Sequence, residues 1–515
     1  MARAPMTPLQ RLIAPMARRL GFVPRPSQRT SAFTAAQISR LTSSWTTDPG
    51  AINRWIRWEL RTLRARARQQ VRSDSYGRAW ALAVEQNVGG PCPFELRAKI
   101  RTKRDKPDVL TSRRAELAYK DFSRAAVCDV TGRLSLQALH RLNVRDWAAD
   151  GEILIRLYPG DGPHGLQLQV LDPERLDVEL NERYADGRAI KTGIEMDVYG
   201  RPVAYHILRQ HPGEYGLWGQ SQNRERERVP ADQIVHAFVP EWPEQARGIP
   251  SLAASMFRMW HMGEFEQAAV INARVGASKI AAITLGGSDD KTLADGKDSV
   301  GNYLSDSGPG EYWVIPEGAE LHDWSPQFPD AAIEPFIRAL LRGTAAGLGV
   351  AYHAFANDPS NVNYSTARVA LLQERDMWMT LQQWYVEQVV ERIYEAWLLY
   401  APLKGVVPVE WTGDRRIRSV RWRVKRWAWV DPLKETQAQA EALSARLTSR
   451  TRLADEAGEE FEDILEELAE EQKLAAQLGV VLDAPTPAAA QPSEAAPSGA
   501  DDEDSDDDST DSTGQ

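Results

Sequence analysis

The segment from Ser365 to Tyr400 constrains the fold of this chain more than any other. Leu371, Trp378, Leu381, Tyr385, Val389, Ile393 and Trp397 fall on one stripe at helical spacing. Val386, Val390, Tyr394 and Leu398 form a second stripe beside it. At 1.5 Å per residue such a helix spans about 50 Å. Its second half is apolar over a wide face, so it belongs deep between neighbouring elements. The chain of 515 residues is long enough to cover such a rod, as several domains or as one large body with extensions.

The remaining segments mix helix and strand, and the fold class expected is α+β. Ile52 to Trp58 continues into Arg61, Arg64, Arg66 and Arg68, a helix with an arginine-rich face. That face reads as a polyanion contact, or with at least equal weight as a solvated surface. Ser75 to Gln86 is a second helix, broken at Val88-Gly89-Gly90-Pro91. A strand around Phe94 to Ile100 precedes a helical region with Trp147 near its end. From Gly151 to Val170 two alternating runs flank Pro159-Gly160-Asp161-Gly162, which predicts a hairpin. Further strands are expected at Gly193–Asp197, Pro202–Arg209 and Ile234–Pro240, with Gln210–Arg228 a polar surface loop.

Helices then dominate. Ser251–Val275 and Pro335–Leu348 carry helical patterns. Between them lie a strand at Ile280–Leu285, a Gly/Asp-rich stretch to Gly310, and Glu311–Ile315. Ala351 to Thr366, with Asn357-Asp358-Pro359-Ser360-Asn361-Val362-Asn363, is a loop by composition. Ser419 to Val430 alternates, with Arg421, Arg423 and Lys425 on one side and Val420, Trp422 and Val424 on the other. Asp431 before Pro432 reads as a helix N-cap. Gln437 to Leu478 is helical and increasingly acidic. From Ala484 the chain is Ala/Pro/Ser-rich, then acidic, a composition that predicts disorder.

Charge is spread unevenly around a net −10. Met1 to Ser73 holds only arginine as a cation and only Asp48 and Glu59 as acids; the first twenty residues are read as a basic arm, although they faintly resemble a transit peptide. After Lys473 there is no cation, and Asp501 to Asp508 is a block of like charge. The 17 Trp fit a Trp-rich core or an obligate interface equally. Cys92 and Cys128 have neither zinc spacing nor a CxxC, which fits a reducing compartment. No apolar run reaches membrane-spanning length.

Catalytic patterns are missing from the sequence: no phosphate loop, no GxGxxG on a strand-turn-helix, no GxSxG and no HExxH. Neither a metal site nor a cofactor site is read, and no catalytic residue is assigned. His206 and His236 lie on expected strands and read as structural; His353 is a weak site candidate. Trp427 and Trp429 beside Arg421, Arg423 and Lys425 could stack bases of a single strand, but a strand with one solvent-facing side is the stronger reading.

Six ordered stretches resemble the lambda-type portal proteins of tailed bacteriophages. They are Trp147-Ala148-Ala149-Asp150-Gly151-Glu152; Leu171-Asp172-Pro173-Glu174-Arg175-Leu176; Gly193-Ile194-Glu195-Met196-Asp197 with Tyr199-Gly200-Arg201-Pro202-Val203-Ala204-Tyr205; Val229-Pro230-Ala231-Asp232-Gln233-Ile234-Val235-His236 running to Gln245-Ala246-Arg247-Gly248-Ile249-Pro250; Asn363-Tyr364-Ser365-Thr366-Ala367-Arg368; and Trp429-Val430-Asp431-Pro432-Leu433-Lys434-Glu435. They cover roughly Ser75 to Glu470. The resemblance implies a ring-forming portal fold: an α/β wing, a helical stem, a small clip, a long central helix and a helical crown. The divisions are an arginine-rich arm and helix at 1–74, wing at 75–250, stem helix at 251–277, clip at 278–330, second stem helix at 331–350, channel loop at 351–364, long helix at 365–402, returning wing strands at 403–431, crown at 432–480 and disordered tail at 481–515.

Function follows by the same resemblance: a ring, usually of twelve copies, at one capsid vertex. Double-stranded DNA passes through it during packaging and ejection. The terminase large subunit docks on it, then head-completion or adaptor proteins, with major capsid and scaffold proteins as further partners. The implied location is the virion's portal vertex, with assembly in the host cytoplasm and no membrane partner. A divergent nucleic-acid-processing enzyme and another head–tail adaptor are the competing readings. Tight DNA binding needs many cation–phosphate contacts, and the nearly uncharged loop suits weak, reversible contact instead. Asn357, Ser360, Asn361, Asn363 and Arg368 are the DNA-contact candidates; Arg368 either touches phosphate or pairs with an acid such as Asp358.

Overall fold

The computed structural model describes residues 40, 46–91, 94–102, 108–214, 225–277, 281–285, 296–297, 303–304, 319–323, 332–360, 363–427, 432–457 and 461–480. Most of the basic arm, Cys92, Asn361, Trp429, Asp431, Glu311–Ile315 and the acidic tail lie outside the described residues. The chain divides into two compact units, Met1–Lys425 and Arg426–Gln515.

The first unit begins with two packed helices, α1 (Ile52–Ser73) and α2 (Ser75–Val84). Asp74 separates them and caps α2, its carboxylate accepting from the Gly77 amide at 2.7 Å. A wide turn at Glu85–Gly89 and Gly90, at φ +68°, end that helix where the Gly-Gly-Pro sequence predicts. Strand β1 (Glu95–Ala98) follows, then α3 (Val109–Phe122) and α4 (Leu136–Asp150). Ser135 caps α4, accepting from the Ala138 amide at 3.3 Å.

The expected hairpin forms from β2 (Glu152–Pro159) and β3 (Leu166–Leu171). A second sheet runs in sequence order: β4 (Glu182–Arg183), β5 (Ala189–Lys191), β6 (Ile194–Met196), β7 (Pro202–Leu208) and β8 (Arg226–Pro230). Strand β9 (Ile234–Phe238) returns to pair with β2, giving the order β3-β2-β9. Alternation holds on β3 from Leu166 to Gln169, after which Leu171 and not Val170 is buried, and it fails on β2, where Ile153, Leu154, Ile155 and Leu157 are all buried. Helix α4 packs on β2, and Leu154 sits in a cluster with Leu171, Leu176, Tyr205, Ile207 and Val229, so β2 has no wet face. Strand β8 corrects the loop expected to Arg228. Its charges hide the alternation, because each has a partner: Arg226 with Asp177 at 2.6 Å, Glu227 with Arg156 at 2.5 Å, Arg228 with Glu195 at 2.8 Å.

Helix α5 (Met256–Ala277) starts later than the pattern suggested, because Ser251–Ser255 is spent in turns. Short strands follow: β10 (Ala281–Leu285), β11 (Gly296–Lys297), β12 (Tyr303–Leu304) and β13 (Ala319–Asp323), with β10 paired to β13 and β11 to β12. Helix α6 (Ile333–Leu348) packs against α5 and ends at Gly349, φ +73°.

The long rod is present as α7 (Tyr364–Tyr385), a wide turn at Val386–Val390, and α8 (Glu391–Tyr400). Trp378, Tyr385, Val389, Val390, Ile393, Tyr394 and Trp397 are buried along it. Aromatic neighbours surround the rod. Trp80 stacks on Trp378 at 5.8 Å, and Tyr119 meets Trp397 at 5.3 Å and Tyr394 at 5.4 Å. Gln382 is buried within it, its amide donating to the carbonyls of Asn87 at 2.7 Å and Lys425 at 3.2 Å.

Strand β14 (Val420–Arg423) pairs antiparallel with β1. It is shorter than the strand expected over Ser419–Val430. Lys425 leaves the alternation because its ammonium donates to the Gln86 carbonyl at 3.0 Å and to Asn87 Oδ1 at 2.7 Å. Among the described residues the second unit has three helices, α9 (Pro432–Ser444), α10 (Arg450–Ala457) and α11 (Phe461–Leu478). None of the described helices is long and apolar enough to cross a membrane.

Candidate functional site

The Asn-rich segment is more structured than its composition suggested. After Gly349 the chain makes one helical turn, Tyr352–Phe355. Phe355 is buried against Tyr76, ring centroids 5.9 Å apart. Glu374 on α7 holds the segment's start, one carboxylate oxygen accepting from the Ala351 amide at 3.2 Å and the other from the Trp378 indole at 3.0 Å. Asn357 then adopts φ +50°, a left-handed conformation that Asn tolerates better than most residues. Asn357 and Ser360 are exposed. Asn363 caps α7, its side-chain oxygen accepting from the Thr366 amide at 2.8 Å. Arg368 is half-buried on α7. The segment thus presents Asn357 and Ser360 at its surface and spends the Asn363 carbonyl on a cap.

Asp358 organises the segment. Its carboxylate accepts from the Tyr352 hydroxyl at 2.7 Å, from the Ser360 amide at 3.0 Å and from the Ser360 hydroxyl. Arg338 on α6 lies 3.2 Å away, donates to Ser360 Oγ at 2.7 Å, and pairs with Glu334 at 2.8 Å. The hydroxyls of Ser360 and Tyr352, aided by Arg338, hold the Asp358 carboxyl down at about 2. The one acid of the tip is therefore engaged by Tyr352 and Ser360 of the segment and by Arg338, which it shares with Glu334. Amide and hydroxyl groups, which contact a phosphate backbone without gripping it, are what reach the surface. His353 contributes its carbonyl, which accepts from the Asp358 amide at 3.1 Å.

A second constellation lies in the body, and it absorbs the arginines of α1. Arg64 is 2% exposed, and Arg68 is half-buried. This corrects both sequence readings of that face for these two residues, because the acids they meet come from distant stretches. Arg68 forks onto Asp150 with two contacts of 2.7 Å and reaches Asp172 at 2.7 Å. Arg64 lies 2.6 Å from Glu152 and 3.3 Å from Glu174, and donates to the Asp150 carbonyl at 3.1 Å.

Glu152 is the hub, with no exposed surface. Arg247 approaches it at 2.5 to 3.0 Å, and the Gly248 amide donates to it at 2.8 Å. His236 Nε2 donates at 3.2 Å. Arg247 spends its remaining donors on the carbonyls of Thr192 at 2.9 Å, Pro173 at 3.1 Å and Leu176 at 3.2 Å. Burial alone would push the Glu152 carboxyl up; the guanidiniums of Arg247 and Arg64, with His236, reverse this and hold it well below the usual range. Burial pushes the His236 imidazole down, against the pull of Glu152. Two glycines let the backbones meet: Gly151 sits at φ +82°, where an added Cβ would come within 2.1 Å of the Ile249 carbonyl, and a Cβ on Gly248 would come within 2.1 Å of Gly151 O.

The competing enzyme reading needs carboxylates that converge on a free space. The carboxylates that converge in the body are bridged by arginines: Asp150 and Asp172 share Arg68, and Glu152 and Glu174 share Arg64. Among the described residues no group of three or more His, Cys, Asp or Glu is placed to hold a metal ion. The base-stacking reading of the β14 region loses Lys425 to the Asn87 turn; of its two tryptophans Trp427 is half-buried and Trp429 lies outside the described residues. Sequence reasoning missed Arg338, Tyr352 and Glu374, which fix the segment. Only the Glu334-to-Arg338 spacing hinted at an ordered charge pair there.

The family described as phage portal protein, lambda family, matches residues 39–382. A probable portal protein of Halomonas phage phiHAP-1 is 28% identical over 461 residues, 88% of each chain. Portal protein B of Escherichia phage lambda is 21% identical over 386 residues, 68% of this chain and 72% of its own. Among solved structures, a chain of the virion of a native gene transfer agent particle has a TM-score of 0.44 at 13% identity, covering 78% of this chain and 93% of that one.

Proposed function

This chain belongs to the lambda family of phage portal proteins, and on that premise we propose that it forms a ring of about twelve copies at one capsid vertex. Duplex DNA passes through the ring on packaging and again on ejection. The terminase large subunit docks on it first, and head-completion or adaptor proteins replace the motor. In this reading residues 75–250 are the wing, with β14 returning to it, and α5 and α6 are the stem. The paired strands between them belong to the clip, residues 351–364 line the channel, and α9 to α11 are the crown. The protein works as a conduit, and its DNA contacts at the loop are weak.

One observation carries the reading. Asp150-Gly151-Glu152, Leu171 to Leu176 and Gln245 to Pro250, three of the stretches that resemble portal proteins, meet in the buried Glu152 hub. The resemblance therefore rests on residues that set the geometry of the body. The loop supports the conduit because its one acid is engaged by Tyr352, Ser360 and Arg338, and because Asn357, Ser360 and Asn363 are the exposed polar residues among its described ones. Gold-labelled chain in assembled particles should mark a single vertex per capsid, and labelling distributed over many vertices would overturn the proposal.

A further inference from the structure

Two exposed helix faces of the first unit are left unused by the channel reading, and they complement each other. On α3, Leu110, Arg113, Arg114 and Leu117 recur at helical spacing and are all exposed, Leu110 by 84% and Leu117 by 60%. Tyr119 lies on the other side of that helix, packed on Tyr394 and Trp397, so the stripe points away from α8. It borders an open groove of about 510 Å³ that His164 and Val406 also line. The charged groups of the stripe and its continuation are Arg113, Arg114, Lys120, Asp121 and Arg124. Asp121 is engaged by Arg124 and His164, each at 3.0 Å. Among the described residues Arg113, Arg114 and Lys120 have no ion pair. The rod carries the counterpart. Glu387, Glu391 and Glu395 follow at four-residue spacing and lead to Leu399, 50% exposed. They are turned off the side of α8 that buries Ile393, Tyr394 and Trp397. Gln383 donates to Glu387 at 2.9 Å, and Arg392 is the exposed cation of α8 beside the three acids. Glu391 and Glu395 have no ion pair among the described residues. Partial burial, with Glu387 and Glu395 adding to it, pushes the Glu391 carboxyl up. Like charges four apart on a helix destabilise it, and an outside cation relieves them.

Resting on the ring reading, we propose that the Leu110, Arg113, Arg114 and Leu117 stripe of one copy docks on the Glu391, Glu395 and Leu399 face of the next copy around the ring. A cyclic ring closes through two different surfaces of one chain that fit each other. These two fit in charge and in step. Leu110 and the Arg113/Arg114 pair are about 5 Å apart along α3, and Glu395 and Leu399 about 6 Å apart along α8. Laid antiparallel, Leu110 meets Leu399, the two arginines meet Glu395, and Lys120 on its flexible stem reaches Glu391. Arginine is the residue suited to such a contact, because its planar fork takes both oxygens of one carboxylate. A phosphate backbone would satisfy the arginines but leave Leu110 and Leu117 in water. Another protein would need the pattern of acids and leucine that this chain already carries.

The test follows assembly of the full-length chain by mass photometry over a dilution series. Arg113→Glu/Arg114→Glu and Glu391→Arg/Glu395→Arg each set like charges against each other at every junction. Each should raise the concentration at which half the chain is in rings by about ten-fold or more. Mixing the two variants in equal amounts should restore the rings, because every junction of an alternating ring again joins opposite charges. All four substitutions in one chain should restore them as well. Rings that form normally in either reversed variant overturn the proposal and leave the ring reading standing. Rings that stay broken both in the mixture and in the fourfold variant do the same. Normal rings together with lost binding of a labelled DNA duplex in Arg113→Glu/Arg114→Glu assign the stripe to DNA, and that also overturns it. A wild type that never forms rings sinks both readings. The four substituted residues are exposed, so each variant should melt within about 2 °C of wild type, which separates lost docking from misfolding.

Discussion

Replacing Glu152 by Gln removes one negative charge from a site with no exposed surface. Arg247, fully buried, and Arg64, 2% exposed, would then share a pocket without their counter-charge. Breaking a buried pair by removing one partner costs about 3–5 kcal/mol. Arg247 keeps its three carbonyl acceptors and Arg64 keeps Glu174, so the lower end, about 3 kcal/mol, is expected. For a unit of this size that is a fall in melting temperature on the order of 5 °C. The pH dependence gives a second readout. Glu152 is held well below its ordinary range, so its ionised form stabilises the fold above the unfolded-chain value of about 4.3. That contribution is lost as pH falls through the depressed folded value. The gap between wild type and Glu152→Gln should be full at pH 7 and begin to close only below about pH 4.3. Circular dichroism melts from pH 7 to pH 3 measure both. A variant melting within about 1 °C of wild type at pH 7 would refute the reasoning, since the effect rests on burying the Arg247 guanidinium without its carboxylate.

Other residues test separate links. Gly151→Ala places a Cβ against the Ile249 carbonyl at a φ that L side chains rarely adopt, so soluble chain should not accumulate; normal yield and melting would contradict the close backbone approach. Asp146 is pushed up to about 8 by burial, with Asp150 and Asp172 adding to the shift. A raised carboxyl favours folding most below its unfolded value and loses that advantage as pH climbs to the folded one. Asp146→Asn should therefore melt above wild type at pH 8 and with it near pH 4, and a variant less stable at pH 8 would refute the assignment. Asp358→Asn removes the charge that Arg338 holds, so amide exchange over 352–360 should speed up several-fold on the scale of local opening, with melting unchanged; equal exchange would show that Phe355 and Glu374 alone fix the segment.

Much of the fold could be read directly from the sequence. Of the 3.6-residue stripe, Trp378, Tyr385, Val389, Ile393 and Trp397 are buried, while Leu371 and Leu381 are half-buried. The Pro159-Gly160-Asp161-Gly162 turn closes the β2–β3 hairpin. Charge was harder to read than apolar spacing. Arg64 and Arg68 look like a wet helix face until Asp150, Glu152 and Asp172 arrive from elsewhere in the chain, and no local pattern encodes that meeting. The same holds for Arg226, Glu227 and Arg228, which read as loop and form a strand because partners neutralise them. Of the five loop candidates, Asn357 and Ser360 are exposed at the tip, Asn363 is a cap, Arg368 is half-buried and Asn361 lies outside the described residues. Composition located the loop. The arginine and tyrosine that hold it depend on α6 packing beside it, which is a tertiary fact.

Ring formation is the central claim, and native mass spectrometry of the purified full-length chain tests it most directly. A cyclic assembly of identical subunits closes at a fixed number. The account predicts a dominant species near twelve times the 57.6 kDa chain mass, or a neighbouring integer, that persists on dilution. A monomer that persists at high concentration, and stays monomeric on adding scaffold and capsid protein, would contradict it.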